Sequence, residues 1–555
     1  MKRTTGLCML VGVCLLPNMV LADGNRGDLM KMHRGGAARL VAKAAAGTLD
    51  PQINYTPLYW TIYQGTYDGL VTFRKAPGPE GTVIVPDLAE NIPQPQNDGK
   101  TYTFKLRQGI KFSNGKDLST DDVVASFQRI FKVSSPTSGS FYKNIIGADA
   151  CLSEPQTCTL EGGVVGDKIA GTVTINLTGA DPEFIDKIAM PHASIVPSET
   201  PAKDMGTIPI PGTGAYAFDA YDPNKQLSWS RNRYFKEWSV EAQPDGFIDS
   251  FKLDFGLTEE AQVNAVVNKQ ADAISDQPPA DRLSELGTKY ASQVHLQAQN
   301  ALWYVPLNVN LPPFDNLKAR QALAYALDLK ALVNFFGGRN LASPTCQILP
   351  PAIAGYEQFC LYTKNPGQKW TAPDLEKAKQ LIEESGTKGS QVTVIVDDGD
   401  VSRNIGQYLQ SVLTELGYKA DVKSLSNNIH FTYIQNTNNK VQLSVTQWYS
   451  DYPAASNFIN ALLGCDSFTP GSDSSVNISG FCDKSLQARI DHAMTFPTAD
   501  QGAAKLWAGI DKDLMTQAPI LPLFTPKHLD FISSRVGNYQ YSSQYSWLWV
   551  HAWVK

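Results

Sequence analysis

Beyond its first 22 residues, the 555-residue chain lacks any apolar run long enough to cross a bilayer, which takes about 20 residues. It also lacks an excess of basic residues. After residue 22 it carries 46 Lys and Arg against 54 Asp and Glu, a net charge of −8. Surfaces that bind nucleic acid are normally basic, so nucleic acid is not an expected partner.

Motifs for metal binding and for nucleophilic catalysis are also missing. There is no Cys-x-x-Cys pair and no His-Glu-x-x-His, and the seven histidines are scattered, so we expect neither a metal nor a cofactor. Ser140 and Lys143 fit Ser-x-x-Lys and residues 426–428 fit Ser-x-Asn, but the third element of such serine enzymes does not follow them. A secreted serine hydrolase is therefore a distant alternative, and we expect no enzyme.

The first 22 residues have the pattern of a secretory signal. Lys2 and Arg3 precede an apolar stretch at 7–16, and residues 20–22 read VLA, which predicts cleavage before Asp23. Val13 is bulky where a lipoprotein signal has a small residue before its cysteine. We therefore expect a soluble periplasmic protein without a lipid anchor.

Six cysteines remain after cleavage, and an even count in an exported chain indicates disulfides. Six cysteines allow 15 connectivities, but the spacing favours three short loops rich in Pro, Gly, Ser or Thr. Each cross-link contributes roughly 2–3 kcal/mol in the chain-entropy model. The expected pairs are Cys151–Cys158, Cys346–Cys360 and Cys465–Cys482.

Local patterns predict a mixed α/β chain. Strands are predicted at 39–46, 391–396 and 441–446, and helices are predicted at 375–384, 403–416 and 454–463. A further helix begins after Asp315 or Asn316 and ends at Gly337. Strand, helix and strand in succession favour an α/β lobe with crossover connections.

Residues 98–129 read DGKTYTFKLRQGIKFSNGKDLSTDDVVASFQR and contain a strand, a tight turn and a helix. Apolar residues alternate from Tyr102 to Leu106, Asn114 precedes a glycine suited to a turn, and Ser119 stands three positions before Asp122, as in a capping box. Taken alone, this pattern fits any α/β domain.

The amino-acid sequence of this stretch nevertheless closely resembles a signature of the periplasmic oligopeptide- and dipeptide-binding proteins that deliver ligands to ABC transporters. Other parts of that family's pattern follow in order along the chain: YDGLV at 67–71, PDLAE at 86–90, PGTGAY at 211–216, RNRYF at 231–235 and PFD at 313–315. The chain is identified as a member of this family from about residue 38 to its end.

The resemblance implies a two-lobed α/β fold with a hinge and an inserted extra domain. Lobe I would take residues 33–64, 205–297 and 518–555, and lobe II would take 298–517. The inserted domain would be 65–204. The Pro-rich residues 519–522 are a plausible return crossing between the lobes, because proline stiffens extended chain.

The resemblance also assigns a ligand site. Trp448, Tyr449 and Asp451 follow the predicted strand at 441–446, and ligands of open α/β sheets bind at the carboxyl ends of strands. In peptide-binding members an aspartate here pairs with the ligand's α-ammonium group. Asp451 could instead cap the helix predicted at 454–463, and the two roles can coexist.

Arg403 is the candidate for the carboxylate end of a short peptide, since a guanidinium can bind a carboxylate with two hydrogen bonds. The alternative is a solvated arginine at a helix start.

Aromatic residues border the expected cleft and could hold varied ligand groups. Individually, each is at least as well explained by core or interdomain packing. The candidates are Tyr55, Tyr59, Trp303 and Tyr304.

We expect a monomeric binding protein that closes on a short peptide and presents it to ABC permease subunits with cytoplasmic ATPases. Members of the family also bind oligosaccharides, nickel chelates or opine-like compounds, so another small solute is the alternative. A sugar would stack on Trp303 and Trp448 and would not need Asp451.

Overall fold

A computed structural model describes residues 23–473, 475–498 and 500–555 of the chain. The predicted signal at 1–22 lies outside the described residues. No described helix has the length and apolar character needed to cross a membrane.

The strands are short, apart from one strand of twelve residues near the C-terminus. In chain order they are β1 (Ala37–Val41), β2 (Val71–Phe73), β3 (Ile84–Pro86), β4 (Thr101–Lys105), β5 (Val164–Asp167), β6 (Thr172–Asn176), β7 (Tyr216–Asp222), β8 (Gln226–Arg231), β9 (Ser250–Asp254), β10 (Ala273–Ile274), β11 (Val294–Ala298), β12 (Ala301–Pro306), β13 (Ala342–Pro344), β14 (Gln391–Asp397), β15 (Lys419–Leu425), β16 (Leu443–Ser444), β17 (Thr446–Tyr449), β18 (Ile520–Phe531), β19 (Val536–Gly537), β20 (Tyr541–Ser542), β21 (Ser546–Trp547) and β22 (Trp553–Val554).

Helices are most frequent between residues 317 and 517. In chain order they are α1 (Asp23–His33), α2 (Pro57–Tyr63), α3 (Thr120–Lys132), α4 (Ser138–Phe141), α5 (Ala148–Ser153), α6 (Phe184–Ile188), α7 (Glu259–Val267), α8 (Leu283–Lys289), α9 (Leu317–Ala326), α10 (Leu329–Phe335), α11 (Leu375–Ser385), α12 (Asp400–Glu415), α13 (Asn427–Gln435), α14 (Ser456–Leu463), α15 (Lys484–Ala493) and α16 (Gln501–Gln517).

Three sheets each lie within one of the domains predicted from sequence. The five-stranded sheet β10-β1-β9-β8-β7 lies in lobe I, and β4-β6-β5 lies in the inserted domain. Lobe II contains β15-β14-β16, a parallel sheet covered by α12. The domain boundaries themselves stay predictions.

A fourth sheet, β11-β18-β12-β17, links the two lobes. The start of β18 pairs with β12 beside lobe II, and its end pairs with β11, where Ile532 then bridges to Ala273 of lobe I. The predicted return crossing at 519–522 is thus the beginning of a long, hydrogen-bonded strand.

Side-chain caps fix several helix starts. The predicted capping box is present, since the backbone N–H of Ser119 donates to Asp122 at 2.9 Å at the start of α3. The single helix predicted from Asn316 to Gly337 is wrong in one respect: it is two helices. Asp328 accepts from the backbone N–H of Lys330 at 2.9 Å, which starts α10, because an aspartate favours a helix cap over a helix interior.

The cysteines form the three predicted pairs, Cys151–Cys158, Cys346–Cys360 and Cys465–Cys482. The first lies in the inserted domain, and the other two lie in lobe II. Each bond joins the ends of a short loop, as the spacing predicts.

A buried ion pair joins the inserted domain to lobe I. Arg129 on α3 donates from Nη1 to Asp50 at 3.0 Å and to Gln52 at 2.7 Å, and both charged side chains are almost inaccessible. Its remaining N–H groups reach the carbonyls of Pro201 at 2.9 Å and Lys203 at 2.8 Å. This guanidinium is therefore well satisfied, which a buried charge requires.

The inserted domain also contacts lobe II. Tyr452 is buried with the core of the inserted domain, its ring meets Phe141 edge-on at 5.8 Å, and its hydroxyl donates to Glu183 at 3.1 Å. Ser456, at the start of α14, donates to the same carboxylate, and Lys187 lies 3.9 Å from it. These contacts hold the 451–457 segment against the inserted domain.

Replacing Arg129 by Ala should lower the free energy of unfolding by roughly 3–5 kcal/mol, because it leaves Asp50 buried without its cation. Denaturant unfolding measures the effect. Lys168→Ala is the control, since Lys168 forms an exposed pair with Asp121 in the same domain and such pairs contribute about 0–1 kcal/mol. Equal effects of the two changes would contradict the account.

Replacing Tyr452 by Ala should favour an open arrangement of the ligand-free protein, because the edge-on pair contributes about 0.5–1.5 kcal/mol beyond the area that it buries. Small-angle scattering should show a larger radius of gyration. Tyr433→Ala is the control, since Tyr433 contacts Lys423 within lobe II. An unchanged radius of gyration in Tyr452→Ala would exclude the contacts of Tyr452 with the inserted domain as a determinant of closure.

Candidate functional site

Asp451 lies two residues beyond the end of β17, at the edge of lobe II. The strand predicted at 441–446 is broken into β16 and β17, so Trp448 and Tyr449 lie inside β17 rather than after it. Asn457 on α14 donates to the Asp451 carboxylate at 2.8 Å and accepts from its backbone N–H at 2.9 Å. The cap position of α14 is Ala455, so Asp451 orients the helix through Asn457 and does not cap it.

Tyr55 reaches Asp451 from the other lobe. It lies in the loop between β1 and α2, and its hydroxyl donates to the second carboxylate oxygen at 2.6 Å. The two residues are 396 positions apart in the chain, so this hydrogen bond forms only when the lobes are together.

The Asp451 carboxylate is buried without a cation. It is 5 % exposed, and no described Lys, Arg or His forms an ion pair with it. Burial raises its pKa to about 6, and the hydrogen bonds from Asn457 and Tyr55 offset only part of that effect. Relative to an ordinary value of 3.8, this disfavours the ionised form by roughly 3 kcal/mol. A positively charged ligand group beside Asp451 would therefore stabilise its ionised form.

Two partly exposed tyrosines lie near this carboxylate, Tyr55 through its hydrogen bond and Tyr449 two residues earlier in the chain. Tyr55 and Tyr449 are each 38 % exposed, yet burial is the main cause of the raised pKa of both hydroxyls. Both side chains are thus accessible yet partly desolvated, as expected for residues at the border of a cleft. Trp448, which precedes Tyr449 in the chain, packs on α14, where its Nε1 donates to the carbonyl of Asn457 at 2.8 Å.

The inserted domain closes the site on the side of Tyr55. His192 is fully buried, and its ring lies edge-on to Tyr55 at 5.1 Å and to Trp60 at 5.6 Å. Neither ring nitrogen has a described hydrogen-bond partner, and burial lowers the pKa of His192 to about 3. The imidazole is therefore neutral and acts as an aromatic support for Tyr55.

Three of the predicted aromatic residues lie in packed cores, as the alternative interpretation allowed. Tyr59 is buried in lobe I and donates to Tyr221 at 2.7 Å. Trp303 stacks on Phe524 at 5.5 Å, and Tyr304 is buried on the other face of β12. Both faces of β12 are buried, so its sequence is apolar throughout and does not show which side chains border a cleft.

Arg403 lies in the first turn of α12, about half exposed. Its guanidinium donates to the carbonyl of Asp398 and to the carboxylate of Asp400. Among the described residues no contact connects Arg403 to Asp451. Its proposed role in binding a carboxylate stays a prediction.

Sequence reasoning missed the residues that orient Asp451 and complete the wall around it. A signal for Asn457 is present, because it lies in the first turn of the helix that follows Asp451. For His192 and Glu183 no local signal exists, since they belong to the inserted domain. No group of three or more His, Cys, Asp or Glu that could hold a metal ion occurs in the described part of the chain.

Comparisons with known proteins identify the family. The chain is 27 % identical to Di/tripeptide-binding protein 1 of Pseudomonas aeruginosa over 80 % of this chain and 81 % of that protein. It is 26 % identical to Heme-binding protein A of Haemophilus influenzae over 90 % and 88 % of the two chains. The solved structure of clavulanic acid biosynthesis oligopeptide binding protein 2 matches with a TM-score of 0.82 and 23 % identity, over 94 % of this chain and 96 % of that one, which confirms the two-lobed fold.

The model of the bacterial extracellular solute-binding proteins, family 5, matches residues 83–470. This span covers the signature at residues 98–129, the inserted domain after β2 and the 448–451 segment. The chain belongs to the bacterial extracellular solute-binding proteins, family 5.

Proposed function

We propose that this protein is the periplasmic binding component of an ABC importer and binds short peptides between its lobes. It delivers them, as a monomer and without chemical change, to a permease with cytoplasmic ATPases. The observation that carries the proposal is the buried carboxylate of Asp451, which is held by two neutral donors from opposite sides of the cleft and lacks a cation.

A peptide's amino terminus can supply the cation that the Asp451 carboxylate lacks. An α-ammonium group brings one positive charge and three donors, and it is present in every peptide whatever its side chains. Placing it against Asp451 removes the cost of an unpaired buried charge. Because Tyr55 reaches the same carboxylate from lobe I, ligand binding and lobe closure favour each other.

A sugar ligand has less support. Stacking on a sugar ring requires an open indole face, but Trp303 and Trp448 are each 7 % exposed and packed against their own lobe. The relatives that match this chain include binders of di- and tripeptides and a heme binder at nearly equal identity. Identity at this level therefore leaves the solute open, and the argument for peptides depends on Asp451.

Replacing Asp451 by Asn should weaken binding of di- and tripeptides with free amino termini by at least about 30-fold, because truncating one partner of a buried charge pair costs roughly 2–5 kcal/mol. Titration calorimetry measures the dissociation constants. Asp513→Asn is the control, since Asp513 is an exposed carboxylate paired with Arg489 in the same lobe. N-acetylated peptides should bind the wild-type protein as poorly as free peptides bind the variant. Equal affinity for free and acetylated peptides would remove the basis of the proposal.

Peptide affinity should decrease as the pH falls below about 6. The Asp451 pKa of about 6 means that the ligand-free carboxyl is protonated below that pH, and the ammonium group must then displace a proton, which costs up to about tenfold in affinity per pH unit. The ligand's amino group stays charged throughout, since its ordinary pKa is about 8. Dissociation constants from pH 4.5 to 7 test this, with Asp451→Asn as the control that should lose the slope. A wild-type affinity that is constant across this range would contradict the assignment.

A further inference from the structure

A second ionisable side chain, His528, lies on the same face of the sheet β11-β18-β12-β17 as Tyr449. Trp303 on β12 pairs with Gln447 on β17 and with Phe524 on β18, and paired residues share a face. Side chains alternate along a strand, so Tyr449 shares this face with Gln447, and His528 shares it with Phe524. His528 therefore lies on the same face of the sheet as Tyr449, which precedes Asp451 by two residues.

The surroundings of His528 show that its ring faces the cleft. Its side chain is 27 % exposed, and it stacks on Tyr541 with ring centroids 5.8 Å apart. Burial is the main cause of the raised pKa of Tyr541, and Asp530 and the phenol of Tyr449 add to it, so Tyr449 lies near Tyr541. Tyr449, Tyr541 and His528 thus follow one another along this face of the sheet.

One nitrogen of His528 is already paired and the other is not fixed. Nε2 lies 2.9 Å from Asp530, whose second oxygen accepts from Tyr539 at 2.6 Å. Nδ1 lies 3.5 Å from the side-chain nitrogen of Gln299. In a neutral ring Nδ1 can accept from that amide, but in an imidazolium the Nδ1–H needs an acceptor instead.

The charge on His528 is favoured by its neighbour. Burial would lower the pKa of His528, but the charge and hydrogen bond of Asp530 outweigh that effect and raise it. Burial would likewise raise the pKa of Asp530, yet His528 and Tyr539 lower it. His295, stacked on Tyr539 at 3.8 Å, has a lowered pKa because of burial and stays neutral.

The spacing between the two groups sets a length. The backbone N–H of Ser450 donates to the carbonyl of Asn300, which sets Asp451 level with Gln299. The side chain of Gln299 in turn lies 3.5 Å from His528 on β18. Asp451 and His528 therefore lie on opposite sides of this segment, about two strand spacings or roughly 10 Å apart. An extended peptide covers about 3.3–3.6 Å per residue. Two or three residues therefore span the distance between a group bound at Asp451 and a group bound at His528.

We propose that the imidazolium of His528 donates to the terminal carboxylate of the peptide whose amino terminus Asp451 binds, so that the cleft selects di- and tripeptides with both ends free. This inference rests on the proposed function. The carboxylate supplies a charged acceptor for Nδ1–H, and Asp530 holds the ring in place from the other side. Arg403, whose guanidinium is engaged within its own helix turn, is the competing residue for this role.

The test compares each peptide with its C-terminal amide. A library of di- and tripeptides with free termini is first screened by calorimetry, and the tightest binder is remade as the amide. Wild-type protein should bind the free acid roughly 10- to 100-fold more tightly than the amide, because a hydrogen bond to a charged group is lost. His528→Gln should remove most of this preference. His492→Gln, at an exposed histidine on α15, is the matched control and should retain it.

Two outcomes would overturn the inference. In the first, His528→Gln retains the wild-type preference for the acid. In the second, Arg403→Gln abolishes the preference and His528→Gln does not. The N-acetyl form of the same peptide separates this test from the proposed function. If acetylation still weakens binding but His528→Gln changes nothing, the amino-terminal site stands and only the carboxylate site fails.

Wild-type protein provides a second test that needs no variant. The preference for the acid should shrink as the pH rises from about 6 to about 9, since the imidazolium loses its proton, whereas an arginine would give a constant preference. Peptides of four and five residues should bind at least roughly tenfold more weakly than the best di- or tripeptide. Here a preference independent of pH contradicts the role of His528, and equal affinity for longer peptides contradicts the length limit.

Discussion

An unpaired carboxylate enclosed between two lobes constrains the whole site. Asp451 is held in place by Asn457 from its own lobe and by Tyr55 from the other, and both donors are neutral. Neutral donors orient a carboxylate but compensate little of its desolvation. The closed arrangement is thus costly at neutral pH until a cation arrives, and this links ligand charge to lobe position through a single group.

The inserted domain takes part in the site as well as extending the fold. His192 supports Tyr55, while Glu183 and Phe141 hold Tyr452, the residue that directly follows Asp451. Three separate parts of the chain therefore converge on one loop of lobe II. The ion pair of Arg129 with Asp50 then fixes the inserted domain to lobe I. The contacts of the inserted domain with lobe II therefore also hold the two lobes together.

Local chemistry made much of the fold predictable. The capping box at Ser119, the short disulfide loops and the strand and helix around residues 391–415 all depend on residues close in sequence. The site depends on contacts between distant residues, and these have no local signal. Asp451 and Tyr449 could be named through the family resemblance, but the partner that each would meet could not. The sequence of β12 also gave no sign of which side chains would face the cleft, because β12 is covered on both sides and carries apolar residues throughout.

The twelve-residue strand β18 has a mechanical consequence. Because it remains hydrogen-bonded to β12 at one end and to β11 at the other, the lobes are connected by a ribbon rather than by a free linker. A ribbon of paired strands bends and twists but resists stretching and sliding. Relative motion of the lobes is then confined to a narrow path, and each closure returns the same side chains to register across the cleft.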